Sequence, residues 1–316
     1  IAGFSAGEAN KLRKAMGRKN AREEMAKWHE LFVQGAKNRG IQKELAIKIF
    51  DHICGFAEFG FCKSHAASFA ILCYRSAYLK RYHPAEFYCA LLNNQPMGFY
   101  DPEVITGDAK RHGISVLPVD INRSTWKCSL EDGLLRTGFV YVKKIGEEKC
   151  ELILKARESG FFVSLQDFVN RAKIDNEALQ NLIAVGAFEP LWHSRRQLLW
   201  EAGTLHNNGA LNIMYADSGR GLPIPEMSCA EETITDYTFQ GFSASHHIME
   251  LYRKRLNLLK AIKSSALTCY RPGTCILIGG FTVCIQMPPT ARGFAFITLE
   301  DEDALINIVV GPEEYR

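Results

Sequence analysis

Glycine and proline cut the first ninety residues into helix-length runs, and this punctuation constrains the fold more than any other feature of the chain. Ser5 precedes Glu8 by three positions, the spacing of a capping box, and Leu12 and Met16 follow at i, i+4 before Gly17 interrupts. A second run, from about residue 21 to 38, closes before Gly40, and a third spans about 43 to 54. After a break at Gly60 a long helix is predicted from Ser64 to Tyr82, stopped by Pro84. Its centre, FAILCYRSAYL, is apolar enough to read as a buried helix. AEFYCALLNN adds one short helix, so residues 1–94 read as wholly helical.

Beyond Gln95 the pattern changes. DPEVITGDAKRHG reads as a capped helix ending at Gly113, and ISVLPVDIN as an extended run broken by Pro118, together a small α/β connector over 95–137. Residues 138–204 return to helices, and 205–265 hold a Gly-, Asn- and Pro-rich linker followed by the amphipathic helix HHIMELYRKRLNLLKAI. From 266 to 316, CILIGGFTVCIQ, GFAFITLED and ALINIVVG predict three short strands, the start of a small β-barrel. The expected fold class is mainly α and multidomain. The Ile1 start and a barrel lacking strands suggest a piece of something longer.

A formal net charge of +3 identifies no partner, but residues 1–50 concentrate eleven Lys or Arg against five Glu. That excess suits a phosphate-facing surface or a solvated helix face. The ten cysteines form no Cys-x-x-Cys pair and mostly lie in apolar runs, so they read as reduced core thiols of a cytosolic protein. No apolar run is long enough for a membrane helix and no signal-peptide pattern opens the chain.

Four stretches carry possible chemistry. In NKLRKAMGRKN, Lys11, Arg13 and Lys14 lead to Gly17, and Arg18 and Lys19 follow at once, a cluster suited to a triphosphate. In GFCKSHAASF, Lys63, Ser64 and His65 stand where a helix begins, and its unpaired amides and positive dipole end favour an anion. For His65 alone, packing against the preceding turn is the favoured role, and the upstream basic cluster shifts the reading toward phosphate binding. VYVKKIGEEKCELILKARESGFF resembles a helix-hairpin-helix element, whose turn offers amides to a DNA phosphate without reading sequence. Lys143, Lys144, Ile145, Gly146 and Glu147 form that turn, with Lys144 where the first glycine of a Gly-x-Gly is usual. LQNLIAVGAFEPL, with Gly186, looks like a looser copy; a plain helical hairpin is the alternative for both. In the strand region Phe281, Phe294, Phe296 and Arg292 are available to a single strand, although alternation would bury about half of the aromatics. The EDED stretch at 300–303 reads as a solvated loop, no Asp-x-Asp pair stands in an apolar strand, and nucleophile-elbow, Walker and zinc motifs are absent.

Taken in order, LRKAMGRK, FAEFGFCKSHAASFAILCYRSAYLKRYHPAEFYCALL and LPVDINRS resemble the fingers-domain signatures of the bacterial C-family polymerases, the DNA polymerase III alpha subunit family. VKKIGEEKCELILKARESGFFVSLQDFVNR and LIAVGAF resemble its helix-hairpin-helix domain, and GFAFITLEDEDALINIVVGPEEY its OB domain. NNQPMGFYDPEVITGDAKRHG and NRSTWKCSLE are similar to the error-prone, damage-inducible branch. The resemblance implies helical fingers over 1–94, the connector over 95–137, a hairpin DNA-binding region over 138–204 and the start of an OB-fold over 266–316. It implies that Arg13, Lys14, Arg18 and Lys19 face the phosphates of an incoming deoxynucleoside triphosphate, supported by Lys63, Ser64 and His65. The turns at Lys143–Glu147 and around Gly186 would hold template-primer DNA. Catalytic carboxylates and their Mg2+ are expected before Ile1, so no catalytic or metal residue is assigned here. A clamp-binding pentapeptide, expected around 205–230, is not found, which suits a branch that reaches the sliding clamp through accessory damage-tolerance proteins. A bacterial cytoplasmic, nucleoid-associated location and no membrane partner follow. A DNA-binding or scaffold protein that has lost its catalytic domain is the competing expectation.

Overall fold

A computed structural model describes the chain except residues 18–20, 56–62, 192–193, 207–223, 289–290, 292 and 316. It divides into two compact units, Ile1–Ala77 and Tyr78–Arg316.

In the first unit α1 (Ala6–Met16), α2 (Ala21–Lys37) and α3 (Lys43–Cys54) pack in sequence order. The predicted capping box is formed: the Glu8 amide donates to Ser5 Oγ at 3.3 Å, and the Ser5 amide donates to Glu8 Oε2 at 2.9 Å. Leu12, Met25, Phe32 and Phe50 make the core, the two phenyl rings 5.2 Å apart. Gly35 admits the Ala2 carbonyl against α2; a Cβ there would lie 2.1 Å from that oxygen.

α4 (Lys63–Tyr82) carries the chain into the second unit. The expectation of a buried helix is corrected: Phe69, Ile71, Leu72 and Tyr74 are all more than half exposed. The core of the first unit closes on α1, α2 and α3 and draws no residue from α4. Cys73, expected in a core, is therefore exposed, as are Cys229, Cys269 and Cys275; Cys128 and Cys150 are buried as predicted.

In the second unit α5 (Pro84–Asn93) and α6 (Pro102–Arg111) pack on a small sheet of β1 (Val116–Leu117), β2 (Ser129–Glu131) and β3 (Leu134–Arg136), in the order β1-β3-β2. β1 runs parallel to β3, and β2 returns antiparallel through Asp132 and Gly133, both at positive φ, as a two-residue hairpin turn requires. Gly138 lies so close to the Trp126–Lys127 backbone that a Cβ would sit 2.4 Å from the Lys127 carbonyl carbon. α7 (Glu147–Arg157), α8 (Leu165–Ala172), α9 (Asn176–Ala184) and α10 (Arg195–His206) surround the largest core, where Phe162, Phe168 and Phe188 meet edge to face.

α11 (Cys229–Gln240) and α12 (Ile248–Leu258) lead to β4 (Phe281–Gln286), β5 (Ala295–Glu300) and β6 (Leu305–Val310), an antiparallel meander. The fold is thus mainly helical with two small sheets, neither closed into a barrel.

The β5–β6 turn overturns another expectation. Glu300 and Asp301 are fully buried rather than solvated. Asp301 accepts the amides of Ser264 at 2.8 Å and of Asp303 and Ala304 at 3.0 Å, while Glu300 pairs with Arg111 at 2.8 Å and Glu302 takes Arg253 at 2.6 Å. Burial alone would raise the Asp301 carboxyl, but these donors hold it below the usual carboxylate range. The four acids form a docking turn because basic and amide donors from distant segments meet it.

Asp108 on α6 has a similar setting, accepting Lys80 Nζ and the Tyr88 hydroxyl at 2.7 Å each. Burial pushes its carboxyl up, and the two donors outweigh that and hold it below its ordinary value. A depressed carboxylate contributes stability that is complete above its unfolded value, about 4, and is lost as pH falls through the lower folded one. In urea melts the stability gap between wild type and Asp108→Asn should be full at about pH 5 and shrink below about pH 4. A gap that does not change down to pH 3 would refute the assignment.

Candidate nucleic-acid interface

The turn from Val142 to Glu147 joins a short 3-10 segment (Phe139–Tyr141) to α7 and is held from three sides. The Lys143 amide donates to the Phe239 carbonyl at 2.9 Å, at the end of α11. The Lys143 carbonyl accepts the Asn181 side-chain amide from α9 at 2.7 Å. Ile145 is buried in the core and its amide closes the turn on the Val142 carbonyl at 3.1 Å. Between these anchors Lys144 takes φ +67°, the left-handed conformation for which glycine is usual. The lysine at the expected glycine position thus keeps the glycine's backbone shape.

Gly146 is the N-cap of α7, and no side chain caps that helix. The first-turn amides and the positive end of the dipole face outward beside Lys143, Lys144, Gly146 and Glu147, all exposed. Lys144 Nζ reaches Glu177 Oε1 at 3.2 Å, an exposed pair that an incoming phosphate can displace at small cost. Lys149 buttresses the turn from behind, donating to the Lys144 carbonyl at 3.0 Å and pairing with Asp175. The arrangement presents amides and ammonium groups, donors of the kind that suit an anion, and offers nothing shaped to a base edge. Glu147 and Glu148, also in the first turn, keep the local charge from becoming strongly positive.

Gly186 has the expected left-handed φ of +77°, but residues 181–188 are buried throughout. Its amide donates to Ile183 and that of Ala187 to Leu182, so this turn's donors are already engaged. A Cβ at Gly186 would lie 2.5 Å from Glu189 Oε1 and 2.7 Å from Arg195 Nη2. The glycine makes room for the ion pair of buried Arg195 with Glu189, and the structure does not bring it to the surface that carries Lys144.

The proposed triphosphate residues lie in the other unit. Arg13 and Lys14 are exposed in the last turn of α1, with the Arg13 guanidinium resting on Asn10 Oδ1 at 3.0 and 3.2 Å. Arg13 and Arg39 border a groove of about 490 Å³. Lys63 begins α4, followed by exposed Ser64 and His65; the Ser64 carbonyl accepts Ser68 Oγ at 2.9 Å and the His65 ring packs on Phe69 at 4.4 Å. Arg18 and Lys19 lie outside the described residues, as does Arg292. Phe281, Phe294 and Phe296 are each about 40% exposed, more open than strand alternation suggested.

Sequence reasoning missed Asn181, whose one signal was an amide flanked by leucines in ALQNLIAVG. It also missed a convergence of Glu103, His247 and Glu300, which are nearly 150 residues apart at its widest neighbouring pair and leave no local trace.

A model of the bacterial DNA polymerase III alpha subunit finger domain matches residues 1–40, and one of the helix-hairpin-helix motif matches residues 113–198. The chain is 40% identical over 323 residues to an error-prone DNA polymerase of Burkholderia pseudomallei (strain K96243), covering 99% of this chain and 30% of that protein. It is 39% identical to an error-prone DNA polymerase of Aromatoleum aromaticum and 38% to one of Anaeromyxobacter dehalogenans (strain 2CP-C), again over 99% and 100% of this chain. It spans about 30% of the length of these relatives.

Lys144 separates backbone from charge in this turn. Lys144→Gly should stabilise the chain or leave it unchanged, by about 0 to 1 kcal/mol, because the left-handed strain is removed while unfolded-state freedom is gained. Lys144→Val, whose branched side chain resists that φ, should cost about 1–2 kcal/mol in the same chemical melts. Equal stabilities for the two variants would show that the turn relaxes to an ordinary conformation.

Proposed function

We propose that this chain, with a finger segment at its start and likeness to error-prone polymerases along its whole length, is a member of the bacterial DNA polymerase III alpha subunit family and the nucleotide- and duplex-binding part of an error-prone, DNA-directed DNA polymerase. The observation that carries this reading is the Lys143–Glu147 turn: uncapped amides and two lysines, held in a left-handed turn inside the hairpin match. That turn grips template-primer DNA through its backbone. The buried turn at Gly186 supports the hairpin core rather than touching DNA. In the proposed division residues 1–94 are the fingers, 95–137 the connector, 138–204 the hairpin region, 205–265 the linker and amphipathic helix, and 266–316 the opening strands of an OB barrel. The exposed phenyl rings of that meander serve as stacking platforms for single-stranded template.

Arg13, Lys14, Arg18 and Lys19 face the triphosphate, with Lys63, Ser64 and His65 at the α4 entrance as further donors. Transfer of the nucleotidyl group depends mostly on positioning and charge neutralisation, which cationic side chains and helix amides supply. The reaction also needs divalent ions, Mg2+ in this proposal, clamped between carboxylates. The Glu103, His247 and Glu300 cluster does not fit that role, because its imidazole and buried carboxylates are a poor donor set for Mg2+, which takes oxygen ligands and keeps several waters. The Mg2+ ligands are therefore assigned outside this chain. Template-primer DNA and deoxynucleoside triphosphates are the substrates, accessory damage-tolerance proteins link the enzyme to the sliding clamp, and the bacterial cytoplasm and nucleoid are its site of action. Among the described residues no helix is long and apolar enough to cross a membrane.

Fluorescence anisotropy with primer-template DNA tests the hairpin. Wild type should bind with affinity falling steeply between low and moderate salt, and Lys143→Glu with Lys144→Glu should weaken it by about tenfold or more at low salt. A folded chain that does not bind at low salt, or binding indifferent to both salt and the double change, would reject the assignment.

The nucleotide site is tested in the complete polymerase that contains this chain. Arg13→Ala with Lys14→Ala should raise the nucleotide KM or lower kcat by about tenfold or more while duplex affinity changes less than about twofold. Unchanged kinetics would remove both residues from the triphosphate site.

A further inference from the structure

We propose that Glu103, His247 and Glu300 form a binding site for one first-row divalent cation of the Mn2+ or Zn2+ class. The site is separate from the nucleotide and duplex contacts proposed above and does not depend on them. Each residue comes from a different element: Glu103 from the first turn of α6, His247 from the N-cap of α12, and Glu300 from the end of β5. Their ligand atoms lie within 4.8 Å of one another, with His247 Nε2 3.9 Å from Glu103 Oε1 and 4.0 Å from Glu300 Oε2. A cation equidistant from the three would sit about 2.5 Å from each, a few tenths of an ångström beyond ordinary coordination lengths.

Two atoms at the centre are unsatisfied. Glu300 Oε2 and His247 Nε2 are buried without a hydrogen-bond partner, and the Glu300 side chain is 0% exposed. A buried carboxylate oxygen facing another carboxylate and an imidazole needs a cation or a proton between them. The outer groups hold the ligands in place. Tyr237 donates its hydroxyl to Glu103 Oε1 at 2.6 Å, and Arg111 holds the other Glu300 oxygen at 2.8 Å, leaving Oε2 turned to the centre. Gly107 permits this, since a Cβ there would lie 2.9 Å from Glu300 Oε1. A cavity of about 290 Å³ has Glu103 and His247 in its wall and gives solvent a route to the site.

One hydrogen bond opposes binding. The Met249 amide donates to His247 Nδ1 at 3.2 Å, which places the neutral ring's proton on Nε2. When a cation takes the Nε2 lone pair, that proton moves to Nδ1 with no net release, and the Met249 amide loses its acceptor. One long neutral cap bond is a weaker interaction than coordination by an imidazole and two carboxylates, so the cation prevails. The imidazole and carboxylate set suits borderline metals better than Mg2+.

The test is Mn2+ binding to the full chain after chelator treatment, followed by electron paramagnetic resonance and thermal melting. Mn2+ is chosen because exposed thiols at Cys73, Cys229, Cys269 and Cys275 would capture Zn2+. Wild type should bind one equivalent, melt at a higher temperature with Mn2+, and lose hydrogen-exchange protection at the Met249 amide. His247→Asn, which retains a side-chain oxygen for the cap, and Glu300→Gln should each weaken binding by about tenfold or more. Should Glu300→Gln fail to fold, His247→Asn decides, its fold verified by metal-free melting. Absence of binding to folded wild type, or binding unaffected by His247→Asn, overturns the proposal.

Discussion

A buried guanidinium organises the second unit. Arg195, at the start of α10, donates to the Ala184 carbonyl at 2.9 Å, to Glu189 at 2.7 Å and to Asp236 on α11 at 2.7 Å. Asp236 in turn takes the Ser243 hydroxyl at 2.7 Å, and the Ser243 carbonyl takes Lys110 of α6 at 2.7 Å. Burial lowers the hold on the Arg195 proton, but the two facing carboxylates outweigh it, so the group stays charged. Breaking such a pair leaves an uncompensated buried charge, at a cost of about 3–5 kcal/mol. The glycine at 186 belongs to this arrangement: its missing side chain is the space that the Arg195 and Glu189 head groups fill.

The exposed turn at Lys143–Glu147 depends on that interior. Its amides point outward because Ile145 points inward, and its register is fixed by Asn181 and by the Phe239 carbonyl. Phe239 is near the end of α11, the helix that Asp236 ties to Arg195. The two turns therefore differ: the one at Gly186 is consumed in building the core, and the one at Lys143–Glu147 is left at the surface. A surface made of backbone amides and flexible lysines suits a partner whose phosphates repeat along a strand whatever its sequence.

Local features were legible in the sequence. The Ser5 capping box, the Pro84 and Gly113 boundaries, the three terminal strands and the Lys144 turn all follow from neighbours a few residues apart, and all are present. The errors arise where distant segments decide burial. α4 has the composition of a buried helix, yet α1, α2 and α3 complete a core without it. The acids at 300–303 have the composition of a loop, yet Arg111, Arg253 and Ser264 bury them. Asn181, Arg195 and His247 acquire their roles from partners on other elements, so nothing within reach of a local pattern marks them.

The same nonlocality explains why net charge says little about this chain. Glu103, Asp236, Glu300 and Asp301 are buried, and three of them are engaged by Arg195, Arg111, or the Ser264 amide and hydroxyl. Acids turned inward do not repel a phosphate at the surface, whereas Arg13, Lys14, Lys143 and Lys144 remain outside. A formal +3 thus combines internal pairs, which stabilise the fold, with surface charges of both signs. Exposed acids such as Glu147 and Glu177 stand beside Lys144, so the field at that surface is set by the local arrangement of both signs rather than by the total.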